Sequence, residues 1–281
     1  TNVWKLKYIN LYAEFQDLKM PYSKDIGYRK KYGTFHYLDY AINNRLNIGL
    51  FESIIWQAED STGFRGFDIN YLNPVIFFRP VEFSLGSPDN ALLGLNISYR
   101  MFNSSIFYGQ IVLDEFKLKE VTSGRGWVGN KQALQIGVKM FDFLNIDNLY
   151  FQTEYNFVRP YMYSHRTSLQ NYGHYNQPLA HPVGANFWES VSIIKYNFNR
   201  FFAEYKFNYI LYGSDSTNST NFGKDIFKSY ENYQNEYGNF VGQGIKTHLI
   251  YNDFKISYLI NPNTNLNFTV GVTHRSETTD L

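Results

Sequence analysis

The chain has 281 residues, enough for one large domain or two ordinary ones. Its net charge is +1 and no basic stripe stands out, which argues against a nucleic-acid partner. It has no cysteine, so disulfides and thiolate chemistry are excluded, and no run approaches the about 18 apolar residues of a membrane helix.

Apolar and polar residues alternate along most of the chain, the signature of strands with one greasy and one wet face. The pattern predicts strands at about 3–17, 32–43, 45–57, 91–102, 105–117, 131–144, 148–158, 190–198, 200–213, 244–260 and 266–277. In the fourth, Leu93, Leu95, Ile97, Tyr99 and Met101 alternate with Gly94, Asn96, Ser98 and Arg100. In the ninth, Phe201, Ala203, Tyr205, Phe207, Tyr209 and Leu211 alternate with Glu204, Lys206 and Asn208. The connections alternate as well. Short turns fall at Asn43-Asn44, Asn103-Ser104, Asn145–Asp147, Asn199 and Asn261–Asn263; long connections fall at 18–31, 58–90, 118–130, 159–189 and 214–243. All long loops must then emerge at one end.

This layout predicts an all-β, transmembrane, antiparallel up-and-down β-barrel with short periplasmic turns and long extracellular loops. Most of the strands exceed the about 5–6 residues usual in soluble sheets and fit the about 9–11 that cross a membrane. Aromatic residues make up 19% of the chain, with 25 Tyr and 25 Phe, and girdles at the membrane interfaces would use them. The alternative is a soluble β-sandwich with the wet face outside. Eleven strands is an odd number, and closed bacterial barrels are normally even. Either Pro74–Phe83 is a further strand, or the 1–281 domain is part of a larger barrel of about 16–18 strands. The chain opens at Thr1 with no signal segment, as a mature or trimmed chain would, and it ends without the aromatic-ending strand expected of such barrels.

Three segments resemble the capsule-assembly Wzi family of Bacteroidetes outer-membrane proteins, which includes the gliding-motility protein RemB. They are NPVIFFRPVEFSLGSPDNALLGLNISYRMF (73–102), EYNFVRPYMYSHR (154–166) and NYGHYNQPLAHPVGANFWE (171–189). The matched positions are Asn73-Pro74, Arg79–Glu82, Arg159–Tyr161 and Gly173–Tyr175. The resemblance implies a large outer-membrane barrel that binds or anchors surface polysaccharide, or an accessory barrel of a motility or secretion assembly that docks other outer-membrane proteins. It carries over no individual sugar-binding residue. A porin-like channel is a third reading. Membrane lipid and lipopolysaccharide are expected partners of any of the three.

The candidate carbohydrate surface is the aromatic loop 159–189, with Tyr161, Tyr163, His165, Tyr172, His174, Tyr175, His181 and Trp188. Planar rings stack on sugar faces, and Arg159, Arg166 and nearby amides would bind hydroxyls. The competing expectation is a loop that folds on itself or plugs the mouth, with Pro160, Pro178 and Pro182 as rigid corners. The apolar run 74–78 predicts that loop 58–90 also folds inward or caps the mouth.

A polar lumen network is predicted from Arg100, Asp114, Lys139, Glu154, Glu204, Lys206 and Lys255, with Arg100 facing Glu154 or Asp114. Mixed signs suit a satisfied interior better than an ion-selective ring. Catalysis is not expected, since there is no G-x-S-x-G and Ser190 and Ser214 lack an evident His partner. No cofactor is expected. His174, His181 and Glu189 fit no zinc spacing, and Asp60–Asp68 is a poor calcium loop.

Overall fold

A computed structural model describes residues 1–23, 27–60, 63–77, 89–115 and 117–280, with the side chains of 20–23 and 60 left aside. The strands are β1 (Asn2–Val3), β2 (Leu6–Ser23), β3 (Gly27–Ala41), β4 (Leu46–Gln57), β5 (Glu59–Asp60), β6 (Gly63–Phe64), β7 (Asn90–Met101) and β8 (Ser105–Leu113). They continue as β9 (Gln132–Met140), β10 (Leu149–Val158), β11 (Gly173–His174), β12 (Gln177–Pro178), β13 (Phe187–Phe198), β14 (Phe201–Ser214), β15 (Ile245–Asn261) and β16 (Leu266–Thr279). Among the described residues there is one short α-helix, α1 (Leu118–Ser123), in the β8–β9 connection.

Twelve strands form one antiparallel sheet in the order β1-β2-β3-β4-β7-β8-β9-β10-β13-β14-β15-β16. Each strand pairs with its neighbour in the chain, so the topology is an uninterrupted meander. The eleven long strands coincide with the eleven read from the alternation. The twelfth is the two-residue β1, paired to Leu6 and Lys7. Residues 74–77 form no strand, and 78–83 lie outside the described residues, as do the matched positions Arg79–Glu82. Among the described residues β16 has no partner on its far side, so the sheet is open at that edge.

Besides shifts at strand ends, such as β8 stopping at Leu113 rather than 117 and β9 at Met140 rather than 144, two boundaries differ from the sequence expectation. Residues 18–31 are mostly strand, because β2 and β3 continue as a paired hairpin through Ser23↔Gly27, with shifts of register at Pro21. Proline lacks the N–H that a regular ladder needs there. Second, β13 begins at Phe187, so Trp188 and Glu189 belong to a strand rather than to the loop.

The long connections meet at one end, as the alternation requires, and two of them, 159–186 and 215–244, fold back over one face of the sheet. We call that face inner. Its core joins Leu92, Val112, Ala133, Val158, Phe187 and Ile210 from six strands to Met162, Tyr163, Ala185 and Ile226 from the two segments. The opposite, outer face is apolar and bare from the lower half of β4 through β16. Leu95, Ile97, Phe107, Ile111, Ile136, Phe254 and Val270 are all exposed there. Among the described residues no helix is long and apolar enough to cross a membrane.

Residues 63–77 of loop 58–90 do not fold inward, while Phe78 and the residues up to 88 lie outside the described residues. The segment 63–77 packs on the outer face of β2–β4, where Trp56, Ile54 and Tyr71 are buried together against Tyr32 and Ala91. Strand parity explains this. Ile54 and Trp56 alternate with the inner residues Phe51, Ser53 and Ile55, so the apolar part of 63–77 meets its cover outside.

Candidate functional site

Two rows of directly opposed residues cross the inner face. The upper row is Tyr37, Phe51, Gly94, Val112, Ala133, Val158, Phe187 and Tyr212. The lower row, two residues further from the long loops, is Gly49, Asn96, Gln110, Gln135, Asn156 and Glu189. The period-two repeat thus aligns an apolar band above a band of amides ending in a carboxylate. Three inner rings lie over glycines of the next strand: Tyr37 over Gly49, Phe51 over Gly94 and Tyr108 over Gly137. A Cβ at any of the three would overlap the ring, so these glycines are what lets the aromatics lie flat.

The amide band is internally bonded. Gln110 Nε2 donates to Asn96 Oδ1 at 2.8 Å, and Gln135 Nε2 donates to Asn156 Oδ1 at 3.1 Å. Glu189 is buried and accepts from Asn156 Nδ2 at 2.9 Å and from Asn208 Nδ2 at 2.8 Å. His181, brought over the sheet by the loop, places Nε2 3.0 Å from Glu189 Oε2 and stacks on Phe187 at 4.4 Å.

Between the two bands and the loop lies a cavity of about 390 Å³. Its floor is Asn96, Gln110, Gln135 and Asn156, and its walls include Tyr37, Phe51, Tyr163, Tyr172, Leu179 and His181. The volume lies in the range of about 300–1,000 Å³ usual for small-molecule pockets. Amides present both donors and acceptors, and the rings present flat apolar surface. Such a lining suits a neutral, hydroxyl-rich molecule.

Of the eight loop residues singled out in the sequence, only Tyr163, Tyr172 and His181 line this cavity. Tyr161 and His165 are buried in the loop's own packing, where Tyr161 Oη donates to Asn221 O at 2.8 Å and His165 Nδ1 lies 2.9 Å from Gln170 Oε1. His174 and Tyr175 sit at the β2 edge, against Phe15 and Gln16. Trp188 points to the outer face, between Tyr155 and Tyr209. The floor amides were the residues that sequence reasoning missed. Their signal was the recurrence of one amide at the same height on successive strands.

The loop is pinned to the inner face by buried contacts, and we call this packed segment the plug. Lys31, fully buried, donates to Ser168 O at 3.1 Å, Asn171 O at 2.9 Å and Asn171 Oδ1 at 2.5 Å, and Ser168 Oγ donates to Asp17. On the far side Lys131 donates to Ser164 O at 3.2 Å, and the Tyr163 N–H donates to Asp114 Oδ2 at 3.1 Å. Burial pushes the Asp114 carboxyl up to about 6 despite Lys131 beside it. Burial, reinforced by Lys131, pushes His165 down to about 4. Burial also raises the Tyr163 and Tyr172 hydroxyls, which stay neutral.

The expected lumen charges are placed differently. Asp114 lies in the plug contact, 3.7 Å from Lys131. Glu154 accepts from Tyr108 Oη at 2.6 Å and from Asn156 at 2.9 Å. Arg100 therefore pairs with neither of them; it stands opposite Ile106, one strand away from Lys139. Lys139 lies over the Tyr108 ring at 5.1 Å. Lys195, Glu204 and Lys255 are directly opposed on three strands, with Lys195–Glu204 at 2.7 Å, and Lys255 reaches Asp253 at 2.6 Å. Lys206 stands opposite that Asp253. Among the described residues no group of histidine and carboxylate side chains could hold a metal, and His174 lies at the β2 edge, away from His181 and Glu189.

No family model matches the chain. No curated protein matches it either.

Proposed function

We propose that the chain is the wall of an outer-membrane barrel that binds a segment of surface polysaccharide without catalysis. The observation that carries this reading is the inner cavity, with a floor of four amides and walls of tyrosine and phenylalanine. The bare apolar outer face supports the membrane placement, since a strand wall that is apolar outside and polar inside suits a bilayer. The plug leaves the inner face occupied at its loop end, which favours binding over conduction. The proposed binding residues are Tyr37, Asn96, Gln110, Gln135, Asn156, Tyr163, Tyr172 and His181.

The test is native extraction from purified outer membranes, followed by mass spectrometry of everything retained. Bound polysaccharide that is lost in Gln135→Leu and Asn156→Leu, with the proteins still assembled, supports the reading. A stoichiometric set of partner proteins without glycan replaces it with the docking role of a motility or secretion assembly. Steady single-channel conductance of the purified protein in planar bilayers replaces it with a pore.

A further inference from the structure

The amides of the cavity floor are ordered, and two carboxylates set the order. Asn156 Nδ2 lies 2.9 Å from Glu154 Oε1 and 2.9 Å from Glu189 Oε2. A carboxylate only accepts hydrogen bonds, so the NH2 end of Asn156 is the end that faces both, and its Oδ1 faces the other way. That oxygen accepts from Gln135 Nε2 at 3.1 Å. Gln135 is thereby turned as well, and its Oε1 is left over. Glu154 is held in place by Tyr108 Oη at 2.6 Å, and Glu189 by Asn208 Nδ2 at 2.8 Å and His181 Nε2 at 3.0 Å.

Gln110 stands directly opposite Gln135 on the neighbouring strand. Its Nε2 donates the other way, to Asn96 Oδ1 at 2.8 Å. The two NH2 groups therefore point apart, toward β7 and β10, and two carbonyl oxygens remain between them. Among the described residues neither Gln110 Oε1 nor Gln135 Oε1 has a hydrogen-bond partner. Both glutamines line the cavity and are half-buried there. A half-buried acceptor without a protein donor favours a ligand that brings one.

We infer that this floor selects neutral sugar residues and excludes uronic acids, with Glu154 and Glu189 as the positioning residues. The inference rests on the polysaccharide reading above and deepens it. A sugar hydroxyl can donate to the paired carbonyls. A uronate carboxylate has no proton to donate and would set acceptor against acceptor. It would also come within one amide of the two carboxylates that order the floor, and like charges brought together in a binding site weaken binding strongly. His181 does not offset this. Its Nε2 faces Glu189 and its Nδ1 accepts from the Val183 N–H at 3.3 Å, so both ring nitrogens are engaged within the chain.

The test uses matched probes. Linear oligosaccharides of glucose, galactose and mannose are each paired with the uronate counterpart, which carries a carboxylate in place of the hydroxymethyl group. Titration calorimetry on the purified protein in detergent reads each pair. At least one neutral member should bind, and its uronate should bind about tenfold more weakly or worse. The double variant Glu154→Gln with Glu189→Gln, its folded fraction checked on gels, should narrow that ratio several-fold, which a general loss of affinity would not do. Polysaccharide recovered by native extraction is tested before and after chemical reduction of its uronates to hexoses, and should bind at least as well after reduction. A uronate bound as tightly as its neutral partner overturns the inference. So does loss of binding when the extracted polysaccharide is reduced, or a ratio unchanged in the double variant. No glycan retained and no pair bound shows instead that the polysaccharide reading itself has failed.

Discussion

His181 Nε2 lies 3.0 Å from Glu189 Oε2, although one residue comes from a 28-residue connection and the other from the strand that follows it. Glu189 also accepts from Asn156 and Asn208, so the histidine is docked on a carboxylate already held from two neighbouring strands. The contact fixes one wall of the cavity.

Glu189→Gln keeps the shape but turns one acceptor into a donor facing Asn156, Asn208 or His181. Leaving a buried polar group unsatisfied costs about 1–3 kcal/mol. The variant should remain assembled, melt earlier and bind polysaccharide fragments about tenfold more weakly, equivalent to about 1.4 kcal/mol. Titration calorimetry and thermal unfolding in detergent check both expectations.

Gly94→Ala places a methyl group where the Phe51 ring now lies. The ring must swing into the cavity or the strands must part, and overpacking of this kind costs about 1–3 kcal/mol. Unfolding midpoints in urea should fall, and binding should fall with them. Phe51→Leu combined with Gly94→Ala should recover much of the stability, because the shorter side chain yields the space.

Leu95→Arg puts a cation on the bare outer belt. In a bilayer midplane this costs about 2–4 kcal/mol, and folding into the outer membrane should fail. Heat-modifiable mobility on gels reads the folded fraction. Normal assembly of this variant would mean that the apolar face does not meet lipid.

Two buried groups at the plug contact, His165 in the loop and Asp114 at the end of β8, are shifted in opposite sense below pH 7. His165 is held down to about 4, below its unfolded value near 6.5, so it costs stability as pH falls from about 6.5 towards 4. Asp114 is raised to about 6, above its unfolded value near 3.9, so it favours the folded plug as pH falls from about 6 towards 4. The two nearly cancel between pH 4 and 6. Asp114→Asn should therefore make the plug open more readily at pH 5 than at pH 7, and His165→Gln should reverse that order. Hydrogen exchange of the amides in 159–186 measures both.

Lys31→Met removes the cation that holds Ser168 and Asn171 and leaves their carbonyls buried without a donor. Each such group costs about 1–3 kcal/mol. The sheet should persist while 159–186 becomes cleavable by added protease, since the loss falls on the plug and not on the strand ladders.

Every long strand was legible in the sequence because period-two alternation is a local signal, carried within ten residues or so, whereas the hairpin that β2 and β3 make across 18–31 was read as a long connection. The lumen pairings were not legible. Asp114 and Glu154 differ in height on the inner face, and each meets a nearer partner, Lys131 and Tyr108, before it could meet Arg100. The aromatic loop was rightly marked as rich, but richness in rings does not say which rings are spent on packing. Tyr161 and His165 are spent; Tyr163, Tyr172 and His181 reach the cavity.

Alternation along each strand determined the meander, the division into a greasy and a wet face, and the gathering of the long loops at one end. Which face each loop covers was decided only by the tertiary structure. Strand alternation constrains the sheet through its backbone ladder, whereas a loop's place depends on side chains distant in the chain. Lys31 and Lys131, 100 positions apart, draw 159–186 onto the inner face. Trp56, Tyr12 and Tyr8 draw 63–77 onto the outer one.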